Sequence, residues 1–149
     1  MKFDSFCKKY MPYVHTVEMD GKKWACSGNV YMLLGENAGT IGKVEKSDPI
    51  LDEILNGATW GDCEADLKHA FLKKPDGKAS DIMRQFADNG CVCDIRNAHF
   101  GLIEKCDMCV IAEWYDKDEI VRHALLVGPP VADIDNFEPT GIILEWLEA

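Results

Sequence analysis

The sequence predicts a single α+β domain built on antiparallel sheets, and three observations lead to this prediction. The chain has 149 residues, the size of one ordinary domain with a real core. Short apolar runs of strand type are joined by turn signals, of which Asp20-Gly21 is the strongest. Helical patterns open a unit of strands at each end of the chain, and further short helices are predicted between the two units. This arrangement favours an α+β domain over residues 1–149, with the helices on one face of the sheets.

The N-terminal unit is predicted to be a helix followed by three strands. Asp4 can cap the helix, and Pro12 ends it because proline lacks the backbone N–H that a helix interior needs. The predicted strands cover residues 13–19, 22–27 and 30–34. Residues 35–47 are polar and rich in glycine, which is typical of a loop.

Three short helices are predicted between the two units. The first begins at Pro49, because proline is favoured in the first helical turn. The second is expected over residues 62–73. The third is expected to open at Ser80 or Asp81 and to stop at Asn89.

The C-terminal unit, CVCDIRNAHFGLIEKCDMCVIAEWYDKDEIVRHALLVG, has the pattern of a strand, a helix and a two-stranded hairpin. Asn97 is the expected helix cap, and Asp116-Lys117-Asp118 is the expected turn. The helix is predicted over 98–106, and the strands are predicted over 91–95, 108–115, 119–127 and, at the end of the chain, 141–147.

Composition limits the class of protein. The formal net charge of −10 disfavours a nucleic-acid binder of the basic-patch kind. The apolar runs are too short to span a bilayer, and the first residues lack the apolar core of a signal peptide, so a cytoplasmic protein is expected. The seven cysteines are accordingly expected to be reduced.

Four of these cysteines form the first candidate site. Cys91 and Cys93 form one close pair and Cys106 and Cys109 form another, and four thiolates are a ligand set that tetrahedral zinc accepts. The spacing puts these residues on regular elements rather than on converging turns, which favours small core residues instead. No metal or other cofactor is therefore predicted, and a zinc-stabilised module or cysteine-dependent enzyme is retained as the alternative function.

Two further chemistries have candidate residues in the sequence. Cys63 is predicted at the first turn of a helix, where the dipole favours a thiolate, but no histidine can be assigned to it from sequence. Cys26 and Cys63 can each be combined with His69, His99 or His123, and none of these residues stands in a recognisable catalytic setting. Glu113 stands among β-branched and aromatic residues, so we expect burial to raise the pKa of its carboxyl, unless strand alternation puts it on the solvent face. Motifs for nucleotide binding and for the common hydrolases do not occur, which favours a non-enzymatic protein.

Two segments resemble the DNA sliding-clamp fold, especially the single-domain clamp-like proteins of phages. They are MDGKKWACSGNVYMLL, residues 19–34, and the strand–helix–hairpin pattern of residues 91–127. The resemblance implies a cytoplasmic, phage or prophage processivity factor that binds DNA or replication proteins. Encircling DNA with one domain per chain implies a homo-oligomeric ring or a partner that completes one. The DNA-facing residues that the resemblance implies are Lys8, Lys9, Arg96 and Lys105.

Overall fold

The computed structural model describes residues 1–72 and 82–146, and the fold is α+β, as the sequence predicts. Three short α-helices are present among these residues, α1 (Phe3–Tyr10), α2 (Pro49–Asp52) and α3 (Asn97–Phe100), together with a 3₁₀-helix over Ile134–Asn136. Helix α2 continues into a π-helical turn over Glu53–Gly57. Asp48 caps α2 by accepting a hydrogen bond from the Leu51 amide at 2.9 Å, and Pro49 follows the cap as expected.

Eight strands form one large sheet. In chain order they are β1 (His15–Met19), β2 (Lys22–Ser27), β3 (Val30–Leu33), β4 (Val44–Glu45), β5 (Thr59–Trp60), β9 (Met108–Tyr115), β10 (Val121–Gly128) and β11 (Gly141–Leu144). Their spatial order is β4-β1-β2-β3-β11-β10-β9-β5, and all pairs are antiparallel except β1 with β4. The hairpin predicted at Asp20-Gly21 is confirmed as β1 and β2, and the C-terminal hairpin is confirmed as β9 and β10. Strand β4 lies inside residues 35–47, a segment predicted as a loop.

A second, three-stranded antiparallel sheet corrects the sequence-based prediction for the middle of the chain. It consists of β6 (Asp66–Leu72), β7 (Ile82–Ala87) and β8 (Val92–Arg96), in that order. The helices predicted over 62–73 and 80–89 are therefore wrong, and residues 73 and 80–81 lie outside the described residues. Strand β7 is paired on both sides, so tertiary pairing overrides its weak helical pattern. The helix predicted over 98–106 is also too long, since α3 is a single turn.

The large sheet is covered on both faces. On one face, the fully buried Leu51 and Ile54 of the α2 segment pack against Trp24, Tyr31 and neighbouring strand residues. Burying a side chain of this kind contributes about 1.5–3 kcal/mol, which holds the short helical segment in place. The other face is covered in two parts, by the second sheet and by α1. The helices are thus divided between the two faces rather than collected on one.

Burial on both faces explains the composition of β9 and β10. The runs Met108–Ala112 and Ala124–Gly128 are almost entirely buried, so these strands read as continuous apolar segments rather than alternating ones. The covering layers end near Glu113 and His123, where polar residues begin. Across the described residues, no helix is long and apolar enough to cross a membrane.

Candidate metal centre

A polar cluster lies where the apolar runs of β9 and β10 end. Glu113 and His123 are directly opposite each other in the antiparallel register of the two strands. Directly opposed residues point to the same face of a sheet with their Cβ atoms about 4.5–5.5 Å apart, so the two side chains meet. Both lie on the face that the second sheet covers, together with Ile111 and Leu125 of the same strands.

The second sheet brings Cys91 to this pair. Cys91 lies in the tight turn between β7 and β8, where its amide donates to Asp88 Oδ1 at 2.7 Å and its carbonyl oxygen accepts from the Asp88 amide at 3.0 Å. The Gly90 amide donates to the same Oδ1 at 2.8 Å. These local bonds fix the turn, as aspartate often does. The half-buried Cys91 side chain packs against the core between the two sheets.

Three ligand atoms of different kinds meet in this cluster. The Cys91 thiol donates to Glu113 Oε2 at 3.2 Å, and His123 Nε2 lies 2.9 Å from the same oxygen. The three atoms all lie within 4.8 Å of one another. The side chains of Glu113 and His123 are 36% and 14% exposed, so the cluster is reachable from solvent.

Glu145 holds the imidazole from the other side. It follows β11, and its Oε2 lies 3.3 Å from His123 Nδ1 while its Oε1 accepts the His123 backbone amide at 2.9 Å. The next residue, Trp146, donates its amide to the Asp94 carbonyl at 2.7 Å and stacks its ring against Arg96 at 5.0 Å. The end of β11 is thereby tied to the second sheet, which fixes the Glu145 carboxylate beside the ring.

The pKa shifts follow from these contacts. Burial, the hydrogen bond to Glu113 and the charges of Glu113 and Asp88 raise the pKa of the Cys91 thiol to about 11. Hydrogen bonds from His123 and Cys91 lower the pKa of Glu113. The expectation that burial raises the pKa of Glu113 is therefore wrong, because donors to the carboxylate outweigh its partial desolvation. The thiol is not an activated nucleophile in this state.

The cluster fits a divalent cation. Both ring nitrogens of His123 face carboxylate oxygens, and the imidazole can donate to both only when it carries a proton on each nitrogen. A metal cation bound at Nε2 would take the place of one of these protons and leave Nδ1–H to donate to Glu145, the usual support for a metal-ligating histidine. Tetrahedral zinc needs ligand atoms about 3.3–3.7 Å apart. The two separations that involve Glu113 Oε2, 3.2 Å and 2.9 Å, need only small adjustments, and the separation between the Cys91 and His123 ligand atoms lies within 4.8 Å.

The four cysteines considered from sequence do not share one centre. Cys93 and Cys109 are buried in the core between the two sheets, and burial raises the pKa of each thiol, that of Cys109 to about 12. Cys106 is exposed, and its ligand atom groups with those of Glu104 and Asp107. Cys91 alone of the four joins the cluster with Glu113 and His123.

The residues implied by the clamp resemblance lie near α1 and α3. Lys8, Lys9 and Lys105 are exposed, and Arg96 is half-buried. Lys9 Nζ donates to the Ala98 carbonyl at 3.2 Å, so the first helix and the turn of α3 are neighbours. The guanidinium of Arg96 stacks on Trp146, which limits its reach toward a ligand.

A cleft of about 860 Å³ lies mainly on the α2 side of the large sheet. Its walls include Trp114 and the ion pair between Arg122 and Asp116, whose atoms are 2.8 Å apart. His123 and Glu145 border it at the strand ends, but Cys91 and Glu113 do not line it. The cleft and the polar cluster are therefore neighbouring but separate features.

The fold and the cluster together define an α+β protein with a large, mostly antiparallel sheet, a smaller antiparallel sheet and a cysteine–glutamate–histidine centre at their junction. Comparison with protein-family models, with curated proteins and with solved structures finds no match to this chain. Sequence reasoning singled out Cys91, Glu113 and His123 separately but did not join them, and it missed Glu145 and Asp88. Glu113 and His123 are joined by the observed hairpin register, which the turn predicted at residues 116–118 does not give.

Proposed function

We propose that this protein binds one divalent transition-metal ion, with zinc as the best fit, through Cys91, Glu113 and His123. The observation that carries the proposal is the convergence of a thiol, a carboxylate and an imidazole within 4.8 Å. Glu145 supports it by accepting from the opposite side of the imidazole.

The donor set favours zinc over the other common cations. Mg²⁺ and Ca²⁺ prefer oxygen ligands, whereas Zn²⁺ accepts sulfur, nitrogen and oxygen in one site. A Cys91 thiolate and the Glu113 carboxylate would balance the two positive charges. The ion would also join β8's turn to β9 and β10, so binding would stabilise the contact between the two sheets.

Elemental analysis of the purified protein tests the proposal directly. We expect about one zinc per chain after dialysis, and none after Cys91→Ser, because serine is a poor zinc ligand of similar size. Cobalt substitution should give a thiolate-to-cobalt charge-transfer band that Cys91→Ser removes. Cys106→Ser is the matched control, since this exposed thiol lies outside the cluster. Equal metal content in wild type and Cys91→Ser would contradict the proposal.

Chelation gives a second measurement. Since a ligand that binds only the folded state stabilises it by mass action, removing zinc should lower the thermal midpoint of the wild type. Cys91→Ser should show no such response to the chelator. A wild-type midpoint that is the same with and without chelator would mean that no metal is bound.

A clamp-like DNA-binding protein is a second proposal, supported by the contact between Lys9 and Ala98 that makes α1 and α3 neighbours. With a net charge of −10, its affinity for duplex DNA would be weak and steeply dependent on salt. Fluorescence anisotropy at two salt concentrations tests this. Lys8→Ala combined with Lys105→Ala should weaken binding, and Lys22→Ala should not. Binding that is unaffected by the double substitution would contradict a DNA-facing role for this surface.

A further inference from the structure

The cleft on the α2 side of the large sheet has a floor made by side chains of three adjacent strands. Trp114 of β9 and Arg122 of β10 are directly opposite each other, and Leu144 of β11 lies on the same face. The cleft has a volume of about 860 Å³. Sites for small molecules typically measure about 300–1,000 Å³, so this cleft can take a ligand of that size.

Apolar side chains border the cleft on two sides. Pro49 and Ile50 of the α2 segment form one wall, and Ile50 is 46% exposed. Tyr115, at the end of β9, lines the cleft from the hairpin and is 65% exposed. Exposed apolar side chains around a concave surface are typical of binding sites. An apolar ligand body would lose contact with water by packing against these side chains.

Carboxylates outnumber cationic side chains in the lining of the cleft. Four carboxylates and two cationic side chains contribute to it: Glu53, Asp116, Asp118 and Glu145, with Arg122 and Lys117. The whole chain also has a formal net charge of −10. A concave surface dominated by one sign of charge concentrates ligands of the opposite sign. The charge of the cleft therefore favours a cation over an anion.

The two cationic side chains do not reverse this preference. Arg122 Nε donates to Asp116 Oδ2 at 2.8 Å, so its charge is balanced within the protein. Asp116 Oδ1 accepts the amides of Asp118 and Ile120 at 2.8 Å and 3.0 Å, which holds the ion pair in place. Lys117 is exposed at the end of the hairpin, where solvent and salt screen its charge.

Glu53 supplies an unpaired carboxylate on the α2-segment wall. The residue is half-buried, and its side chain forms no hydrogen bond or ion pair with another residue that the structure describes. A Cβ at Gly57 would lie 2.6 Å from Glu53 Oε1, so the absence of a side chain there leaves the carboxylate its place. Partial burial strengthens the attraction between opposite charges, so Glu53 is the partner that we assign to a cationic group.

We infer that this cleft binds a small organic cation, an amine with an apolar body. The ammonium group pairs with Glu53, and the apolar body lies over Trp114 and against Ile50. A metal ion would gain nothing from the apolar walls, and an uncharged molecule would gain nothing from the unpaired carboxylate. The site is distinct from the proposed metal centre, because Cys91 and Glu113 do not line the cleft.

Calorimetric titration with three molecules of similar shape tests the preference for a cation. Naphthylmethylamine is the cationic probe, naphthylmethanol the neutral one and naphthoate the anionic one. At pH 7 we expect saturable binding of the amine, about tenfold or more weaker binding of the alcohol, and the weakest binding for naphthoate. Equal affinity for amine and alcohol, tighter binding of naphthoate, or no saturable binding of the amine would each overturn the inference.

Glu53→Gln is the test variant, because it keeps the size of the side chain and removes its charge. It should weaken binding of the amine about tenfold and leave the affinity for the alcohol unchanged, which shows that the cleft is intact. Asp52→Asn is the matched control, since the neighbouring Asp52 is exposed and does not line the cleft. Equal losses of amine affinity in the two variants would indicate only a general attraction to the acidic protein and would overturn the inference.

Cys91→Ser separates the cleft from the metal centre, because an amine can also bind directly to a metal ion. We expect this variant to bind naphthylmethylamine with the affinity of the wild type, although it should hold no zinc. Loss of amine binding in Cys91→Ser would place the amine at the metal and would overturn the inference. Zinc content is measured separately, so a failure of the proposed function is distinguished from a failure of this inference.

Discussion

Two histidines of this protein have opposite surroundings. His123 lies between Glu113 and Glu145, with a thiol nearby. His99, in α3, is 7% exposed, packs against the Tyr10 ring at 5.9 Å, and has no hydrogen-bond partner for Nδ1 within the described residues. Burial and the nearby cations Arg96 and Lys9 lower the pKa of His99 to about 4.

The difference shows that the sign of the neighbouring charges, rather than burial alone, decides what each imidazole can do. Carboxylates around His123 attract a cation, so this ring can act as a metal ligand. Burial and the cations around His99 oppose both a proton and a metal, so this ring is a neutral part of the packing between α1 and α3. The two positions therefore offer matched tests.

The largest expected difference is in metal content. His123→Ala should reduce zinc from about one per chain to near zero. The substitution removes the imidazole ligand, and the methyl group of alanine has no atom that can bind zinc. His99→Gln should retain the metal. Elemental analysis after dialysis measures both. If His99→Gln lost zinc and His123→Ala kept it, the assignment of the two rings would be reversed.

The second difference is in the pH dependence of stability. The pKa of His99 is near 6.5 in the unfolded chain and about 4 in the folded protein. Between these values the unfolded state binds more protons, so the free energy of unfolding falls as the pH drops from about 6.5 toward 4, by about 2–3 kcal/mol from this group. Urea unfolding at pH 7 and at pH 4.5 measures the loss.

The control for the pH experiment is His99→Gln, which cannot take up a proton in this range. Between pH 7 and pH 4.5, His99→Gln should lose less unfolding free energy than the wild type. The difference should be most of the about 2–3 kcal/mol that His99 contributes. Carboxylates that titrate at low pH are common to both proteins and cancel in the comparison. An identical loss in the two proteins would mean that His99 is not held neutral.

A third and smaller effect is expected from Glu145→Gln. This change keeps the size of the side chain but removes the charge that faces His123 Nδ1. Loss of such a supporting carboxylate typically lowers metal affinity about 10–100-fold. Competition with a chromophoric chelator measures the affinity. No change in affinity would show that the ring is oriented by its packing alone.

The smallest effect is expected at Cys93, which is fully buried between the two sheets and two residues from Cys91. Cys93→Ala should cost about 1–2 kcal/mol of unfolding free energy because a small buried group is lost. Its zinc content should match that of the wild type. Loss of zinc in Cys93→Ala would instead favour the four-cysteine centre considered from the sequence.

The hairpin of β9 and β10 shows how much of the site could be predicted. The turn that the sequence predicts at residues 116–118 would pair Tyr115 with Glu119. The loop is longer, because Asp116 Oδ1 accepts from the amides of Asp118 and Ile120 and Glu119 adopts a φ of 62°. Tyr115 therefore pairs with Val121. This shift of two positions brings His123, rather than Val121, opposite Glu113.

The sequence by itself determined the α+β class, the N-terminal helix and the two hairpins, because these depend on local patterns: a proline stop, Asp20-Gly21 and continuous apolar runs. Only the tertiary structure decided that residues 66–72 and 82–87 are strands, since their pairing with each other and with β8 outweighs local propensity. The Cys91–Glu113–His123 centre was also decided only by the tertiary structure. Cys91 reaches Glu113 and His123 only because the second sheet lies on the first, and contacts across 22 and 10 residues of chain leave no local signal.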